Sequence, residues 1–241
     1  MTSKIRGRIS NPSPFSDPGT DFKSVPVYLV LLWLLLGALV VPAAAGEMTP
    51  LEVARRLQQT YDRTIAFRAE FTQVTTVPMS NRRREGSGTV IFRKPHLMRW
   101  EYLRPDRQVL VSDGKRVRLY FAGSNQMMIR PVDEYLESDV TYAFFSGSGE
   151  IVRDFEVSEA LAEFRHPDYH VIKLVPRTLH PQVDYLYLWV DREKFFMQRL
   201  EIIDQFGSAT ILAFARVEID PVLPPDFHHF EPPPGTEIIG P

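Results

Sequence analysis

After Ile65 the hydrophobic period of this chain becomes two, and it stays so through most of the remaining sequence. Phe67, Ala69, Phe71 and Gln73 alternate with Arg68, Glu70, Thr72 and Val74, so the two sets lie on opposite faces of a strand. The same alternation predicts strands near 67–77, 84–94, 97–103, 107–112, 115–121 and 125–130. A second set is predicted near 153–158, 169–176, 183–190, 198–205, 208–218 and 227–231. Turn chemistry separates them: Lys94-Pro95, Arg104-Pro105-Asp106, Asp113-Gly114, Ala122 to Asn125, Arg165 to Asp168 and Phe206-Gly207-Ser208. Most links are a few residues long, so most neighbours are expected to pair antiparallel. Ten or more short strands with few helices predict a mainly β (α+β) fold on one curved antiparallel sheet. A sheet that large curls, and its concave face must be filled by side chains, helices or a ligand.

Two helical stretches accompany the strands. Thr49-Pro50 reads as an N-cap and first helical position, with Glu52 completing a capping box. Leu51, Ala54, Leu57 and Tyr61 then recur at helical spacing, opposite Arg55, Arg56, Gln58, Gln59 and Asp62. This amphipathic helix must lie on something apolar. Between the two strand sets, Asp133 to Ile151 begins polar and ends in Tyr142, Ala143, Phe144 and Phe145, which predicts one or two short helices.

The N-terminal segment reads as an export signal. Lys4, Arg6, Arg8 and Lys23 precede a 15-residue apolar run, Val27 to Val41, followed by Ala43 and Ala45 in an A-x-A arrangement. That run is short for a membrane span, which needs about 20 residues. Cleavage is expected after Ala45, leaving residues 46–241 as one domain; an uncleaved N-terminal anchor is the alternative. Residues 1–45 hold four basic and two acidic residues, so the remainder carries 24 and 28, a net charge of −4. No basic field for nucleic acid is expected.

Each strand has an apolar and a charged face. Met98, Trp100 and Tyr102 oppose Arg99 and Glu101; Val117, Leu119 and Phe121 oppose Arg116, Arg118 and Tyr120; Leu200 and Ile202 oppose Arg199 and Glu201. This predicts a sheet that is wet on its convex side.

Converging catalytic groups are missing from the sequence. There is no cysteine, which excludes disulfides, thiolate metal sites and a cysteine nucleophile. His166 and His170 have i, i+4 spacing, but Pro167 between them argues against a metal-binding helix. His228 and His229 would point to opposite faces of a strand. Ser112-Asp113-Gly114 reads as a hairpin turn. No metal, cofactor or enzymatic activity is expected.

Several fragments then point to a family. Phe71-Thr72-Gln73, Glu85-Gly86-x-Gly88, Lys94-Pro95-x-Leu97-x-x-Trp100, Pro105-Asp106 and Leu110-Val111-Ser112-Asp113-Gly114-Lys115, in this order and spacing, resemble the periplasmic lipoprotein carrier (LolA) family. The resemblance implies an unclosed antiparallel half-barrel, here of about 11 strands, with helices over its concave apolar face. It implies a monomeric periplasmic chaperone of a Gram-negative bacterium. Such a chaperone takes acylated lipoproteins from an inner-membrane ABC transporter to an outer-membrane acceptor. The acceptors of that fold are lipidated on an N-terminal cysteine, which this chain lacks. Residues expected to line the acyl-chain cavity are Leu57, Val90, Phe92, Met98, Trp100, Tyr102, Leu110, Leu119, Phe144, Phe145, Leu200 and Ile202.

One position departs from the family pattern. An arginine that ties the lid to the barrel is implied before Pro95, where this chain has Lys94. Lysine offers three rotatable donors on one point and no planar fork. Lys94 is expected to latch the segment around Phe144 and Phe145, since Arg93 points to the opposite face. Alternatives on the same fold are a lipid-binding envelope sensor or a carrier of another lipid. Other classes are a barrel hydrolase, which would need a titratable cluster inside the cavity, and a structural barrel filled by its own side chains.

Overall fold

The computed structural model describes residues 47–80, 82–138 and 149–240. The expected signal segment 1–45 and the pair Phe144 and Phe145 lie outside the described residues. From Glu47 onward the chain forms one compact unit. Helix α1 spans Pro50–Arg63, α2 Val132–Ser138 and α3 Ile151–Asp154. The strands are β1 (Ala66–Val77), β2 (Arg82–Arg93), β3 (Leu97–Arg104), β4 (Gln108–Asp113), β5 (Arg116–Phe121), β6 (Gln126–Pro131), β7 (Phe155–Glu159), β8 (Tyr169–Pro176), β9 (Tyr185–Asp191), β10 (Met197–Ile203), β11 (Ala209–Ile219) and β12 (Glu237–Ile239).

All twelve strands join one sheet in the order β12-β6-β5-β4-β3-β2-β1-β11-β10-β9-β8-β7. Every neighbouring pair is antiparallel except β12 with β6, and the end strands β12 and β7 do not meet. The sheet is thus curled and unclosed. Sequence alternation located eleven of these strands. It misplaced the twelfth: residues 227–231 form no strand, and the chain turns at 225–228, with Phe227 N–H donating to Pro224 O at 3.2 Å and His229 N–H to Asp226 O at 2.7 Å. Pro232 to Pro234 supply no N–H to a ladder, so pairing waits until Glu237. The strand expected from 153 instead begins at Phe155, after the single turn of α3.

The motif glycines have a steric role. At Gly88, β2 and β3 shift register: Ser87 faces Arg104, whereas Gly88 faces Tyr102. A Cβ on Gly88 would lie 1.8 Å from Glu101 O. The Lys94-Pro95 and Arg104-Pro105 peptide bonds at the two ends of β3 are cis. Asp113-Gly114 is a turn, as expected. The Asp113 carboxylate accepts from Lys115 N–H at 2.9 Å and Arg116 N–H at 2.8 Å, and Gly114 takes φ +84°.

Helix α1 has the predicted capping box: Thr49 Oγ1 accepts from Glu52 N–H at 3.3 Å, and Glu52 Oε2 accepts from Thr49 N–H at 2.9 Å. Its buried stripe is Val53, Ala54, Leu57 and Tyr61, and Leu51 is left 38% exposed. At 100° per residue, Leu51 lies about 120° round from Leu57, outside the stripe. The stripe joins Phe67, Phe92, Leu188, Val190, Phe196 and Met197 in the main core. Tyr61 stacks on Phe196 at 4.5 Å, and Phe67 meets both rings edge-on.

The convex side departs from expectation because much of it is covered. Val109, Val111, Tyr120 and Met127 form a second buried cluster, against which Ile129 and Phe230 pack. The C-terminal segment lies over them. The ring of Phe230 is 5.3 Å from that of Tyr120, Arg99 donates to His229 O at 3.1 Å, and Asn125 donates to Gly235 O at 3.0 Å. Near the other edge, Phe164 covers Tyr187 and Trp189, and Arg199 lies 4.4 Å over Trp189. Alternation identified which residues share a face, but a local pattern cannot see a distant segment folding back over it.

Both the close strand approach and the convex ion pairs can be tested. Gly88→Ala should destabilise the fold by roughly 1–3 kcal/mol or block folding, because the β2–β3 backbones must separate; urea denaturation measures it. On the convex face, burial raises the Glu101 carboxyl, but hydrogen bonds from Arg99 and Arg107 outweigh it and hold the group below its ordinary value. A depressed folded value means that this stabilisation is present above about 4.5, the ordinary value, and is lost as pH falls through the folded one. Glu101→Gln should therefore lessen the loss of stability on acidification, read as denaturation midpoints at neutral and acid pH.

Candidate ligand-binding cavity

Helix α1 covers only part of the concave face. Beyond it lies a cavity of about 520 Å³, within the range of sites that enclose small apolar ligands. Its apolar wall comes from Met98, Trp100 and Tyr102 of β3, Leu110 of β4, Leu119 of β5, Ile202 of β10 and Leu212 of β11, with Val183 and Tyr135 of α2. Behind that wall Phe71 contacts both Trp100 and Tyr102 with ring centres 4.9 Å apart, and Phe214 meets Trp100 edge-on at 6.4 Å. Aromatic side chains with few torsions make a stiff wall at small entropic cost.

The cavity is polar towards one end, where Gln73, Thr75, Gln108, Gln182, Asp204, Ser208 and Thr210 gather. A hydrogen-bonded chain there joins β3, β1 and β11, passing over β2. Tyr102 Oη donates to Gln73 Oε1 at 2.6 Å, Gln73 Nε2 donates to Thr75 Oγ1 at 3.3 Å, and Thr75 Oγ1 is 3.2 Å from Thr210 Oγ1. This gives the Phe71-Thr72-Gln73 string its meaning: Phe71 backs the aromatic wall and Gln73 anchors the Tyr102 hydroxyl.

Met98, Trp100, Tyr102, Leu110, Leu119 and Ile202 border the cavity. Leu57, Val90, Phe92 and Leu200 are instead packed in the core, each no more than 3% exposed. Val90, Phe92 and Leu200 share the concave face and Leu57 packs on it from α1, so the site of α1 decides which part of that face stays open. Of the polar residues at the far end, Thr75, Gln108, Gln182, Asp204, Ser208 and Thr210 carry no signal of a cavity position in the sequence. Gln73 does, because it follows Phe67, Ala69 and Phe71 on one face.

Lys94 grips the end of α1. Its ammonium donates to Tyr61 O and, at 3.2 Å, to Asp62 O. A cation here meets the last carbonyls and the negative end of the helix dipole. Its expected partner segment around Phe144 and Phe145 lies outside the described residues. Lys94→Leu should cost about 1.5–3 kcal/mol in chemical denaturation, since the two carbonyls lose a charged donor, and Lys94→Arg should recover much of it.

A second cavity, of about 490 Å³, lies beside the start of α1 and includes His166, His170 and Arg192. Burial, with Arg192 adding, holds the His170 imidazole below its ordinary value. Among the described residues, no group of three or more His, Asp or Glu could hold a metal ion.

Comparison with known proteins assigns the family. The family model for the outer membrane lipoprotein carrier protein LolA matches residues 62–231. The chain belongs to the LolA family. An outer-membrane lipoprotein carrier protein of Methylibium petroleiphilum is 32% identical over 172 residues, covering 71% of this chain and 81% of that one. One of Nitrosomonas europaea is 26% identical over 211 residues, covering 88% and 97%. Among solved structures, an uncharacterized conserved protein from Thermus thermophilus superposes with a TM-score of 0.51 at 17% identity, covering 79% of this chain and 98% of that one. That likeness concerns the fold alone.

Proposed function

We propose that this LolA-family protein is a periplasmic chaperone that shields the acyl chains of lipoproteins. In this reading it receives them from an inner-membrane ABC transporter and hands them to an outer-membrane acceptor, and it catalyses no reaction. The observation that carries the reading is the cavity itself, an aromatic and aliphatic wall left open on the concave face with a polar end. The names of the relatives support it.

The energetics suit a carrier. Each methylene removed from water contributes about 0.8 kcal/mol, so a long acyl chain gains roughly 10 kcal/mol. Non-directional contacts with Met98, Trp100, Leu110 and Leu119 accept a fluid chain in many conformations. The hydrogen-bonding groups at the polar end suit the ester or amide linkage of the acyl groups. Unspecific apolar contact also lets the chain slide out to an acceptor, which a buried, directional site would resist. In the same proposal, cleavage after Ala45 releases residues 46–241 to the periplasm. Lys94 then joins the end of α1 to the segment around Phe144 and Phe145 as a latch.

Native mass spectrometry of the protein purified from periplasm tests this. A chain starting at Gly46 with bound lipoprotein is the expected result. A chain that carries only free lipid supports the sensor or other-lipid reading, and an empty chain that accepts no lipoprotein from inner-membrane vesicles refutes the carrier. Leu119→Arg should lower retained lipoprotein at least tenfold with the far-ultraviolet circular dichroism unchanged, because the wall then holds an unpaired charge.

A further inference from the structure

The rim around the mouth of the cavity has side chains that holding an acyl chain does not require. At the end of the sheet where the polar residues gather, the chain turns through 104–107, 177–184 and 204–208. Two of these turns present large apolar side chains to water: Phe206 is 75% exposed and Leu179 is 91% exposed. The two turns adjoin, since Gln205 Nε2 donates to His180 O at 3.3 Å and Asp184 N–H donates to Ile203 O at 2.8 Å.

Phe206 is held out by a built turn. Asp204 Oδ1 accepts from Phe206 N–H and Ser208 N–H, both at 2.8 Å. Asp204 N–H donates to Ser208 O and Gly207 N–H to Asp204 O, both at 3.0 Å. Gly207 adopts φ +76°, a conformation that glycine takes without strain. The turn fixes its backbone and leaves the ring bare.

The same rim carries several arginines. Thr76 of β1 pairs with Ala209 on one side and with Arg83 on the other, which puts Arg82, Arg83 and Arg84 two strands from the Phe206 turn. Arg104 and Arg177 are exposed at the same end. Arg83 is paired with Glu85 at 2.8 Å and Arg107 with Glu101 at 2.8 Å. Among the described residues, Arg82, Arg84, Arg104 and Arg177 have no carboxylate within ion-pair distance. Outside those two pairs the acids at this end are Asp106, Asp184, Asp204, which is engaged in its own turn, and Asp154, which lies across from Arg177 and is paired with Arg153 at 2.7 Å. Outside ion pairs, four arginines thus stand against three aspartates at this end, in a chain that carries net −4 beyond residue 45.

We propose that this rim is a membrane-docking surface that seats the cavity mouth on an anionic phospholipid bilayer. Phe206 and Leu179 enter the boundary between headgroups and acyl chains, where exposed apolar side chains are favoured. Arg82, Arg84, Arg104 and Arg177 meet the anionic headgroups, an attraction that falls off within a Debye length. Bare apolar side chains on the same rim as arginines outside ion pairs complement an anionic lipid surface. The proposal rests on the rim and is independent of what the cavity holds.

Vesicle co-sedimentation tests it, using soluble protein whose N-terminus is read by intact mass. Phosphatidylglycerol-containing vesicles at low ionic strength should bind the protein at least tenfold better than pure phosphatidylcholine vesicles, and salt should abolish the difference. Each arginine near an anionic surface raises partitioning about fivefold, so Arg82→Gln with Arg84→Gln should weaken binding roughly tenfold or more. Leu179→Ser with Phe206→Ser should weaken it to a similar degree, with Phe206→Ser alone as the milder variant, at unchanged thermal midpoint. Equal binding to both vesicle types overturns the proposal, as does binding that neither variant changes. Retention only on vesicles containing membrane proteins also overturns it and makes the rim a protein contact. Lipoprotein retained by the same preparations, read by native mass spectrometry, reports on the carrier function separately.

Discussion

The contact of α1 with the concave face, centred on Tyr61 over Phe67 and Phe196, is the interaction on which the rest depends. An open curled sheet with an apolar inner face cannot stand in water unless something covers that face. One helix of 14 residues is about 21 Å long and covers only part of a twelve-stranded sheet. Where α1 lies, the inner face becomes an ordinary core. Where it does not reach, the same type of side chain becomes a cavity wall.

That division explains why Phe92 and Trp100 differ in role despite similar chemistry. Both point inward from neighbouring strands. Phe92 lies with Phe67 in the core that α1 closes, whereas Trp100 faces the cavity. Lys94 holds the helix at the boundary by donating to its last carbonyls.

The outer face is organised by the opposite end of the chain. The C-terminal segment returns over β4 to β6 and buries Val109, Val111, Tyr120 and Met127. It then adds β12 parallel to β6 and occupies that edge of the sheet. The curved sheet therefore has a partly covered outer surface, a partly covered inner one, and a rim that carries exposed Leu179 and Phe206 together with Arg82 to Arg84.

Much of this was legible from alternation and turn residues alone. Eleven strands, the capping box at Thr49 and Glu52, and the inward direction of Met98, Trp100 and Tyr102 all come from local rules, because strand period and cap chemistry act over a few residues. The order of the carrier-like fragments also pointed to the family. The sequence could not show that Leu57, Val90, Phe92 and Leu200 would be core while Leu110 and Leu119 border space. Nor could it show that the segment after residue 224 would cross the outer face instead of forming a strand, or that Leu179, Phe206 and Arg82 to Arg84 would share one rim. Those outcomes depend on contacts between residues far apart in the chain, and burial is a property of the surface that meets a side chain, which only the tertiary structure decides.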